Sequence, residues 1–422
     1  MRAVDIIIKK RDGLRLTAGE IRFFIENYTA GRIPDEQASA LAMAIFFRGM
    51  DYEETAAMTL AMAESGKQVD LSSIRGVKVD KHSTGGIGDK TTLVVGPVTA
   101  ACGIPVAKMS GRALGFTGGT IDKLESIPGF NTSVAISDMV EQVNRIGLCV
   151  AGQTEELAPA DKKLYALRDI TGTVDSIPLI AASIMSKKIA AGADAIVLDV
   201  KYGSGAFMKT KEDAQKLADT MCGIGNTVGR KTLAVLNSME EPLGNCVGNS
   251  VEVAEAIEVL KGGGPADLVS HCVELSANMI SLGLGMDFAA AEKLAAEKLS
   301  DGSALGKFAE MVEAQGGDPE VCADPERVLG KGAFSRWICA EKDGVIQKVD
   351  AYRTGMAAFT LGAGRAVKTD PADPHAGVIL IAKSGSVVKK GDRLCLLLSD
   401  SPVRDEAVGF IKEAFVFGGG NE

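Results

Sequence analysis

Two short apolar segments, each followed at once by a glycine-rich turn, constrain the fold of this chain most. The first is VKVDKHSTGGIGDK, residues 77–90, and the second is ADAIVLDVKYGSG, residues 193–205. Apolar strands that alternate with glycine turns and helices are typical of α/β domains. The sequence therefore predicts a large α/β domain with a mixed sheet.

The first 65 residues have a different, helical pattern. Thr17 with Glu20 and Asp51 with Glu54 have the spacing of capping boxes, and a further helix is expected from near Pro34 to Arg48. Gly66 is expected to end the last of these helices in the left-handed conformation. A second helical segment, about 161–192, interrupts the α/β pattern, so the small helical domain is expected to consist of two discontinuous pieces.

The C-terminal region alternates short β-like segments with turns over residues 341–400, after a boundary-like cluster of glycine, proline and acidic residues at 315–326. It resembles the barrel-sandwich fold of biotinyl and lipoyl carriers. No lysine lies between methionines as in biotinyl carriers, so a structural α+β, barrel-sandwich-like domain is expected. The predicted domain pieces are 1–70 and 161–193 (helical), 71–160 and 194–330 (α/β, the first piece binding phosphate), and 331–422 (C-terminal).

The net charge, the cysteine spacing and the apolar segments of the chain argue against several classes of function. The 422 residues carry a net charge of −9, which disfavours nucleic-acid binding. No two of the eight cysteines lie closer than 17 residues, which excludes CxxC metal and dithiol sites. The N-terminal apolar segment is too short for a signal peptide, and no segment has the roughly 20 apolar residues of a membrane span. A cytoplasmic protein without a membrane anchor is expected.

The segment Lys81–Lys90 is the first candidate site. Its glycines let the backbone approach an anion, the hydroxyls and helix-start amides donate hydrogen bonds, and the lysines neutralise charge. The spacing is that of neither a P-loop nor a dinucleotide fingerprint. A phosphate-binding loop is the favoured interpretation, and a glycine turn that merely connects a strand to a helix is the alternative.

The second candidate is the segment from Lys108 to Glu125. Ser110-Gly111 and residues 117–120 would supply further donors to the same anion, and Leu114 with Phe116 could form an apolar wall. Four charged residues of this segment are expected to form an ion network that holds the loop in shape, namely Arg112, Asp122, Lys123 and Glu125.

The third candidate combines two predicted helices. Asp161, Tyr165 and Arg168 share one helix face, and Ser183 and Lys187 are four residues apart on another. Cationic and hydroxyl donors suit a planar base with two carbonyls and an N–H group. Taken alone, polar pairs at this spacing are usually solvated helix surface, and that is the favoured interpretation of this cluster by itself.

Together these segments resemble the thymidine and pyrimidine-nucleoside phosphorylases. The similarity lies in KHSTGGIGDK and KMSGRALGFTGGTIDKLESIPGF, and it continues through PADKKLYALRD, SIPLIAASIMSKKIAAGADAIVLDVK and GSGAFMK to the C-terminal segment. The resemblance implies a homodimeric pentosyltransferase that splits uridine, thymidine or deoxyuridine with phosphate, reversibly, into free base and α-pentose 1-phosphate. It implies a role in nucleoside salvage and no organic cofactor.

The resemblance also assigns residues. Phosphate would be bound by Lys81, His82, Ser83, Thr92, Lys108, Met109, Ser110 and Thr120. The pyrimidine would be bound by His82, Arg168, Ser183 and Lys187, with Leu114, Tyr165, Ile180 and Phe207 around it, and His82, Arg168 and Lys187 would be catalytic. A potassium ion would be held by main-chain oxygens of Gly88, Lys90, Leu243 and Cys246 and by the Glu255 carboxylate.

Substrate range depends on Lys108, which stands where thymidine-restricted relatives usually have methionine. Its ammonium could reach a ribose 2′-hydroxyl, so a broad enzyme is expected and a thymidine-restricted one is the alternative. Ala113, Phe116 and Tyr202 depart from the family pattern near the pocket. More distant alternatives are an enzyme similar to anthranilate phosphoribosyltransferase and a noncatalytic binding protein.

Overall fold

The computed structural model describes residues 1–112, 118–154, 156–365 and 370–418. These residues form two compact units. The helical unit comprises Met1–Ser73, Gln153–Leu198 and Glu212–Val235, and the α/β unit comprises Ile74–Gly152, Asp199–Lys211 and Leu236–Glu422. Leu114, Ala113 and Phe116 lie outside the described residues.

The helices, in chain order, are α1 (Ala3–Arg11), α2 (Ala18–Thr29), α3 (Asp35–Arg48), α4 (Tyr52–Ala63), α5 (Thr91–Ala101), α6 (Thr120–Leu124), α7 (Ile136–Ile146), α8 (Pro159–Thr171), α9 (Ile177–Ala190), α10 (Lys211–Thr227), α11 (Ser250–Leu260), α12 (Ala266–Leu284), α13 (Phe288–Ser300), α14 (Ser303–Ala314), α15 (Pro325–Leu329), α16 (Ala351–Leu361) and α17 (Asp405–Ala414). The strands are β1 (Val79–Ser83), β2 (Val106–Ser110), β3 (Leu148–Gly152), β4 (Ala195–Tyr202), β5 (Lys231–Ser238), β6 (Cys246–Gly248), β7 (Phe334–Cys339), β8 (Gly344–Val349), β9 (Gly377–Leu380), β10 (Val387–Val388), β11 (Arg393–Ser399) and β12 (Phe415–Phe417).

Both predicted capping boxes are confirmed in the helical unit. The Thr17 side chain accepts a hydrogen bond from the Glu20 amide, and Glu20 accepts one from the Thr17 amide, at the start of α2. Asp51 and Glu54 make the same reciprocal pair at α4. Such pairs satisfy backbone donors that a helix start leaves without partners, so the sequence locates these two helix starts to the residue.

One hydrophobic core joins the two helical sequence segments. Apolar side chains of α1 to α4 pack in the same cluster as Leu164 and Leu167 from α8 and Leu179 from α9. Burial of the shared apolar faces holds α8 and α9 against the N-terminal helices. This packing fixes the helices that carry Arg168 and Lys187.

The prediction that Gly66 ends a helix in the left-handed conformation is wrong. Gly66 is not in the left-handed conformation, and α4 is followed by Glu64 in a helical conformation. A Cβ atom at Gly66 would lie 2.1 Å from the Glu156 carbonyl oxygen and 2.4 Å from Pro159 Cδ. Glycine is required here because another segment passes close by. Ala158 in that segment has φ +47°, a conformation that only glycine adopts easily.

In the α/β unit, β2 and β3 pair in parallel, with Val106 opposite Leu148 and Ser110 opposite Gly152. A second sheet has the order β1, β4, β5. β1 and β2 both end at glycine-containing loops, the segments expected to bind an anion.

Gln315, which follows α14, bonds to Val150 in the middle of β3, while Gln142 Nε2 donates to the Leu148 carbonyl at 3.0 Å and the Gly152 amide donates to the Thr132 carbonyl at 2.8 Å. Gln315 Oε1 accepts a hydrogen bond from the Val150 amide at 3.2 Å, and its Nε2 donates to the Val150 carbonyl at 3.0 Å. Nε2 also donates to the Asn131 carbonyl at 2.9 Å. The carboxamide thus bonds to both main-chain groups of Val150, as a neighbouring strand would.

The C-terminal part of the α/β unit contains two small antiparallel sheets. Their strand orders are β6, β9, β11, β7 and β10, β8, β12. Apolar residues of these sheets pack with α16 and α17 in one core that also includes Ile87 and Val247. The predicted fold class, helical plus α/β with a C-terminal α+β part, is confirmed. Among the described residues, no helix is both long enough and apolar enough to cross a membrane.

Candidate active site

The glycine-rich segment between β1 and α5 adopts a conformation that side chains would prevent. A Cβ atom at Gly86 would lie 2.5 Å from Met239 Sδ. Gly88 has φ +75°, and its Cβ would lie 2.4 Å from the Leu243 carbonyl oxygen. Both positions require glycine because the loop packs closely against residues 239–243. The loop is therefore a rigid backbone element between a strand and a helix.

The Lys81 ammonium is buried beneath this loop. Its Nζ lies 3.3 Å from Asp199 Oδ2 and 3.8 Å from Asp89 Oδ1, and it contacts Thr91 Oγ1. Burial by itself would lower the pKa of Lys81, but the carboxylates of Asp89 and Asp199 outweigh burial and raise it. Lys81 therefore stays cationic beside the loop.

The ion network extends to residues that the sequence reasoning did not single out. Asp199 Oδ1 lies 2.8 Å from Lys201 Nζ and 3.1 Å from His271 Nε2. Burial opposes ionisation of Asp199, yet Lys201, Lys81 and His271 hold its pKa below the usual value. A signal was present, since Asp199 and Lys201 are charged residues within the otherwise apolar β4, but their partner His271 lies on the distant α12.

The charges of this buried cluster balance, since the cations Lys81 and Lys201 face the carboxylates Asp89 and Asp199. His271 Nε2 lies 2.9 Å from Lys201 Nζ as well as 3.1 Å from Asp199 Oδ1. The cluster thus holds the Lys81 ammonium beside the glycine-rich loop, where it can attract an anion.

The other predicted phosphate residues lie at the ends of neighbouring elements of the α/β unit. Ser83 ends β1 and its Oγ accepts a hydrogen bond from the Gly85 amide at 3.2 Å, and Thr92 is in the first turn of α5. Met109 and Ser110 end β2, Thr120 begins α6, and His82 lies in β1.

Lys108 is buried between two groups of the first strand. Its Nζ lies 3.3 Å from Asp80 Oδ1 and donates to the Lys81 carbonyl oxygen. These contacts join β2 to β1.

The expected ion network of the second loop is confirmed in part in the described residues. Arg112 Nη2 lies 2.6 Å from Glu125 Oε1, Arg112 Nη1 lies 3.4 Å from Asp122, and Arg365 also contacts Asp122. Lys123 donates to the Asp89 carbonyl at 3.0 Å. Lys123 also lies 3.1 Å from Glu252 Oε2, so the expected network joins Arg112, Asp122 and Glu125, whereas Lys123 bonds outside it.

In the helical unit, the Arg168 guanidinium is 1% exposed and bonds to three main-chain carbonyls. Nε donates to Thr173 at 3.1 Å, Nη1 to Leu179 at 3.0 Å and Nη2 to Val174 at 2.7 Å. Burial lowers the pKa of Arg168 to about 10. Three of its five N–H donors are used in these bonds, which hold the guanidinium firmly in one orientation.

Lys187 is held by partners on both helices of the pair. Its Nζ donates to Asp161 Oδ2 on α8 at 2.7 Å and to Ser183 Oγ on α9 at 3.2 Å. The Tyr165 ring lies beside both cations, with its centroid 6.0 Å from Lys187 Nζ and 5.8 Å from Arg168 Cζ. The polar residues that the sequence assigned to two helices therefore form one cluster. Asp161 as the partner of Lys187 had not been predicted.

Two apolar candidates lie in different units. Ile180 is a half-buried residue of α9 in the helical unit. Phe207 lies in the α/β unit, 43% exposed, and its ring is 3.8 Å from the Cβ position at Gly85. Phe207 is therefore an exposed aromatic surface beside the glycine-rich loop.

The five residues expected to hold potassium also come together, but the Lys90 side chain enters the same set. Its Nζ donates to the carbonyls of Leu243 at 3.1 Å and Cys246 at 2.8 Å, and it contacts Glu255 Oε2. Burial would lower the pKa of Lys90, but Glu255 and Glu252 outweigh burial and raise it. Three oxygens of this set, from Leu243, Cys246 and Glu255, are thus bonded to an ammonium.

A second group that could hold a metal is Asp373, His375 and Asp400. Its atoms already have partners, because His375 Nδ1 bonds to Asp400 at 2.7 Å and Nε2 to the Leu329 carbonyl at 2.9 Å. Asp373 accepts from the amides of His375 and Asp400. The group therefore serves as a structural hydrogen-bond network.

Three family models match successive parts of the chain. Residues 4–66 match the helical bundle domain of a glycosyl transferase family, residues 75–305 match the a/b domain of that family, and residues 345–417 match the pyrimidine nucleoside phosphorylase C-terminal domain. A solved structure of anthranilate phosphoribosyltransferase from Thermus thermophilus shares the fold, with a TM-score of 0.61 and 21% identity over 75% of this chain and 99% of that one.

Similar sequences agree with the C-terminal match. The pyrimidine-nucleoside phosphorylase of Geobacillus stearothermophilus is 54% identical over 96% of this chain and 94% of that protein. The one from Bacillus subtilis is 54% identical over 97% and 94%, and the one from Staphylococcus haemolyticus 53% over 98% and 96%. On this identity and coverage, the chain belongs to the pyrimidine-nucleoside phosphorylase family.

Proposed function

We propose that the chain catalyses the reversible phosphorolysis of pyrimidine nucleosides. Inorganic phosphate attacks the anomeric carbon of uridine, thymidine or deoxyuridine, the glycosidic bond breaks, and the products are free base and α-D-(deoxy)ribose 1-phosphate. The observation that carries the proposal is the cluster of Lys187, Ser183 and Arg168, in a chain that is 54% identical to a pyrimidine-nucleoside phosphorylase. No organic cofactor takes part.

The reaction develops opposite charges that need preorganised partners. Positive charge grows on the sugar ring, where the phosphate dianion stabilises it. We assign phosphate to the loop above the buried cations, with Lys81, Ser83, Thr92, Lys108, Met109, Ser110 and Thr120. The buried Lys81 ammonium beside this loop supports the assignment.

Negative charge grows on the departing pyrimidine. Arg168 and Lys187 are cationic, and Ser183 supplies a neutral donor. We assign the base to these three residues, with Tyr165, Ile180, Phe207 and Leu114 around it. His82 donates a proton or hydrogen bond to the 2-carbonyl oxygen. Loss of one such donor costs about 3 to 4 kcal/mol of barrier.

The direct test is release of free base from uridine and from thymidine by purified protein, with and without inorganic phosphate. We expect phosphate-dependent release from both nucleosides, with formation of the pentose 1-phosphate. Lys216→Ala, which removes an exposed cation of α10, is the control and should keep full activity. No release by folded protein in the presence of phosphate would contradict the proposal.

The same preparation should be assayed with anthranilate, phosphoribosyl pyrophosphate and magnesium. The shared fold alone relates this chain to anthranilate phosphoribosyltransferase, and that reaction gives Arg168, Ser183 and Lys187 no pyrimidine to bind. We therefore expect no product. The homodimer, the salvage role and the cytoplasmic location remain predictions.

A further inference from the structure

The position expected for a potassium ion has an unusual feature, which is the side chain of Lys90. The side chain is 0% exposed, and its Nζ donates to the carbonyl oxygens of Leu243 and Cys246 at 3.1 and 2.8 Å. Its third contact is Glu255 Oε2. One ammonium thus reaches three of the oxygens expected to bind the ion.

These oxygens can bind either a potassium ion or a lysine ammonium. Carbonyl and carboxylate oxygens are the ligands of hard cations. A lysine ammonium is a compact point charge with three N–H donors, and here three oxygens accept from it. A potassium ion and the ammonium cannot share the position, because both would need the same three oxygens.

The surrounding contacts show that this position joins three segments. Glu255 also accepts from the amides of Asn245 and Cys246, at 2.8 and 3.1 Å. The Leu243 amide donates to the Ile87 carbonyl at 3.0 Å, so residues 243–246 are bonded to the glycine-rich loop as well as to α11. A cation here holds together the loop, residues 243–246 and α11.

We infer that the Lys90 ammonium takes the place of the monovalent cation in this protein. The cation is covalently part of the chain, so its occupancy does not depend on the ions in solution. The enzyme is therefore independent of potassium, both for the stability of the loop and for turnover.

The first test uses the wild-type protein at constant ionic strength, with potassium chloride replaced stepwise by tetramethylammonium chloride. We expect Tm to change by less than about 1 °C and the rate of base release to stay within about 1.5-fold. A Tm that rises by about 3 °C or more with potassium would overturn the inference. The Tm measurement uses no substrate, so it stands whether or not the proposed function is correct.

The second test uses Lys90→Thr, which removes the ammonium and keeps the main-chain oxygens. We expect a lower Tm in tetramethylammonium chloride and a rise of about 3 °C or more when potassium chloride replaces it. Acquired potassium dependence is a result that a merely structural lysine would not produce. A folded Lys90→Thr protein without any potassium response would overturn the inference.

Lys10→Thr is the matched control. Lys10 is also a buried lysine paired with a glutamate, since its Nζ bonds to Glu54 at 2.7 and 2.9 Å, but these bonds involve no carbonyl oxygen. We expect Lys10→Thr to lose stability equally in both salts. If Lys90→Thr does not fold in either salt, the wild-type measurement decides.

Discussion

Lys187 and Asp161 form an ion pair across α8 and α9, with 2.7 Å between Nζ and Oδ2. Lys187 retains a partly exposed side chain, whereas Asp161 is buried. The carboxylate therefore fixes the direction of an ammonium that is free to meet a ligand on its other side. Asp161 is a positioning residue for the proposed leaving-group donor.

Asp161→Asn is expected to lower kcat about 10-fold and to change KM little, because the ammonium remains but is less well oriented. Lys187→Ala should lower kcat by about 10²- to 10³-fold, the usual cost of one lost charge-stabilising donor. Steady-state kinetics with thymidine and uridine would measure both. Equal kcat values for Asp161→Asn and wild type would contradict the positioning role.

Arg168→Ala should lose stability as well as activity. The Arg168 guanidinium bonds to three main-chain carbonyls, and alanine would leave all three without this partner. Each buried group left without a partner costs about 1 to 3 kcal/mol. We expect a clearly lower Tm for Arg168→Ala, which leaves three carbonyls without a partner, and a smaller loss for Lys187→Ala, which leaves the one buried carboxylate of Asp161 without its ammonium. Equal Tm values for the two variants would refute this distinction.

His271 should make stability depend on pH. Burial lowers the pKa of His271, and the nearby Lys201 ammonium lowers it further. The Asp199 carboxylate and the hydrogen bonds to Asp199 and Glu274 outweigh both effects, so the pKa in the folded protein lies above the ordinary value of 6.5. The folded protein then binds more protons than the unfolded chain, and stability from His271 is present below pH 6.5 and is lost as pH rises through the raised value. Thermal unfolding between pH 5.5 and 8.5 should show this decline.

The decline should be smaller in His271→Gln, which keeps a polar side chain but does not titrate. A variant with the wild-type slope would show that another group is responsible. Glu274, 3.7 Å from His271 Nδ1, is the other carboxylate to replace in that case.

Lys108 should set the range of sugars. We expect Lys108→Met to lower kcat/KM for uridine at least about 10-fold more than for thymidine, because only the ribose carries a 2′-hydroxyl for the ammonium. The comparison within one variant cancels the general effect of losing a buried cation beside Asp80. An equal loss for both nucleosides would contradict a role for Lys108 in specificity.

Local sequence signals predicted much of the fold, whereas contacts between distant segments did not show in the sequence. The Thr17–Glu20 and Asp51–Glu54 pairs could be predicted because a capping box depends on neighbours three residues apart. Gly66 was misinterpreted because its requirement comes from Glu156, 90 residues away, and not from its own helix.

In the candidate site, too, local contacts could be predicted from the sequence and contacts between distant segments could not. Helical spacing predicted that Ser183 and Lys187 share a face, but not that Asp161 is their partner across α8 and α9. The Asp199 and His271 pair joins a strand to a helix 72 residues further on. Lys90 was expected to contribute only its main chain, because spacing carries no information on where a long side chain ends.

The glutamine that bonds to Val150 of β3 has a consequence for synthesis of the chain. A strand with unbonded main-chain groups invites pairing with other chains. Within the described residues, β3 has only β2 as a strand neighbour, and the Val150 amide finds its partner in Gln315, 165 residues later. Leu148 and Gly152 of β3 bond to Gln142 and Thr132, which precede the strand. On the ribosome, Val150 is therefore the part of this strand that waits until α14 has been made, and until then its main-chain groups can pair with another chain.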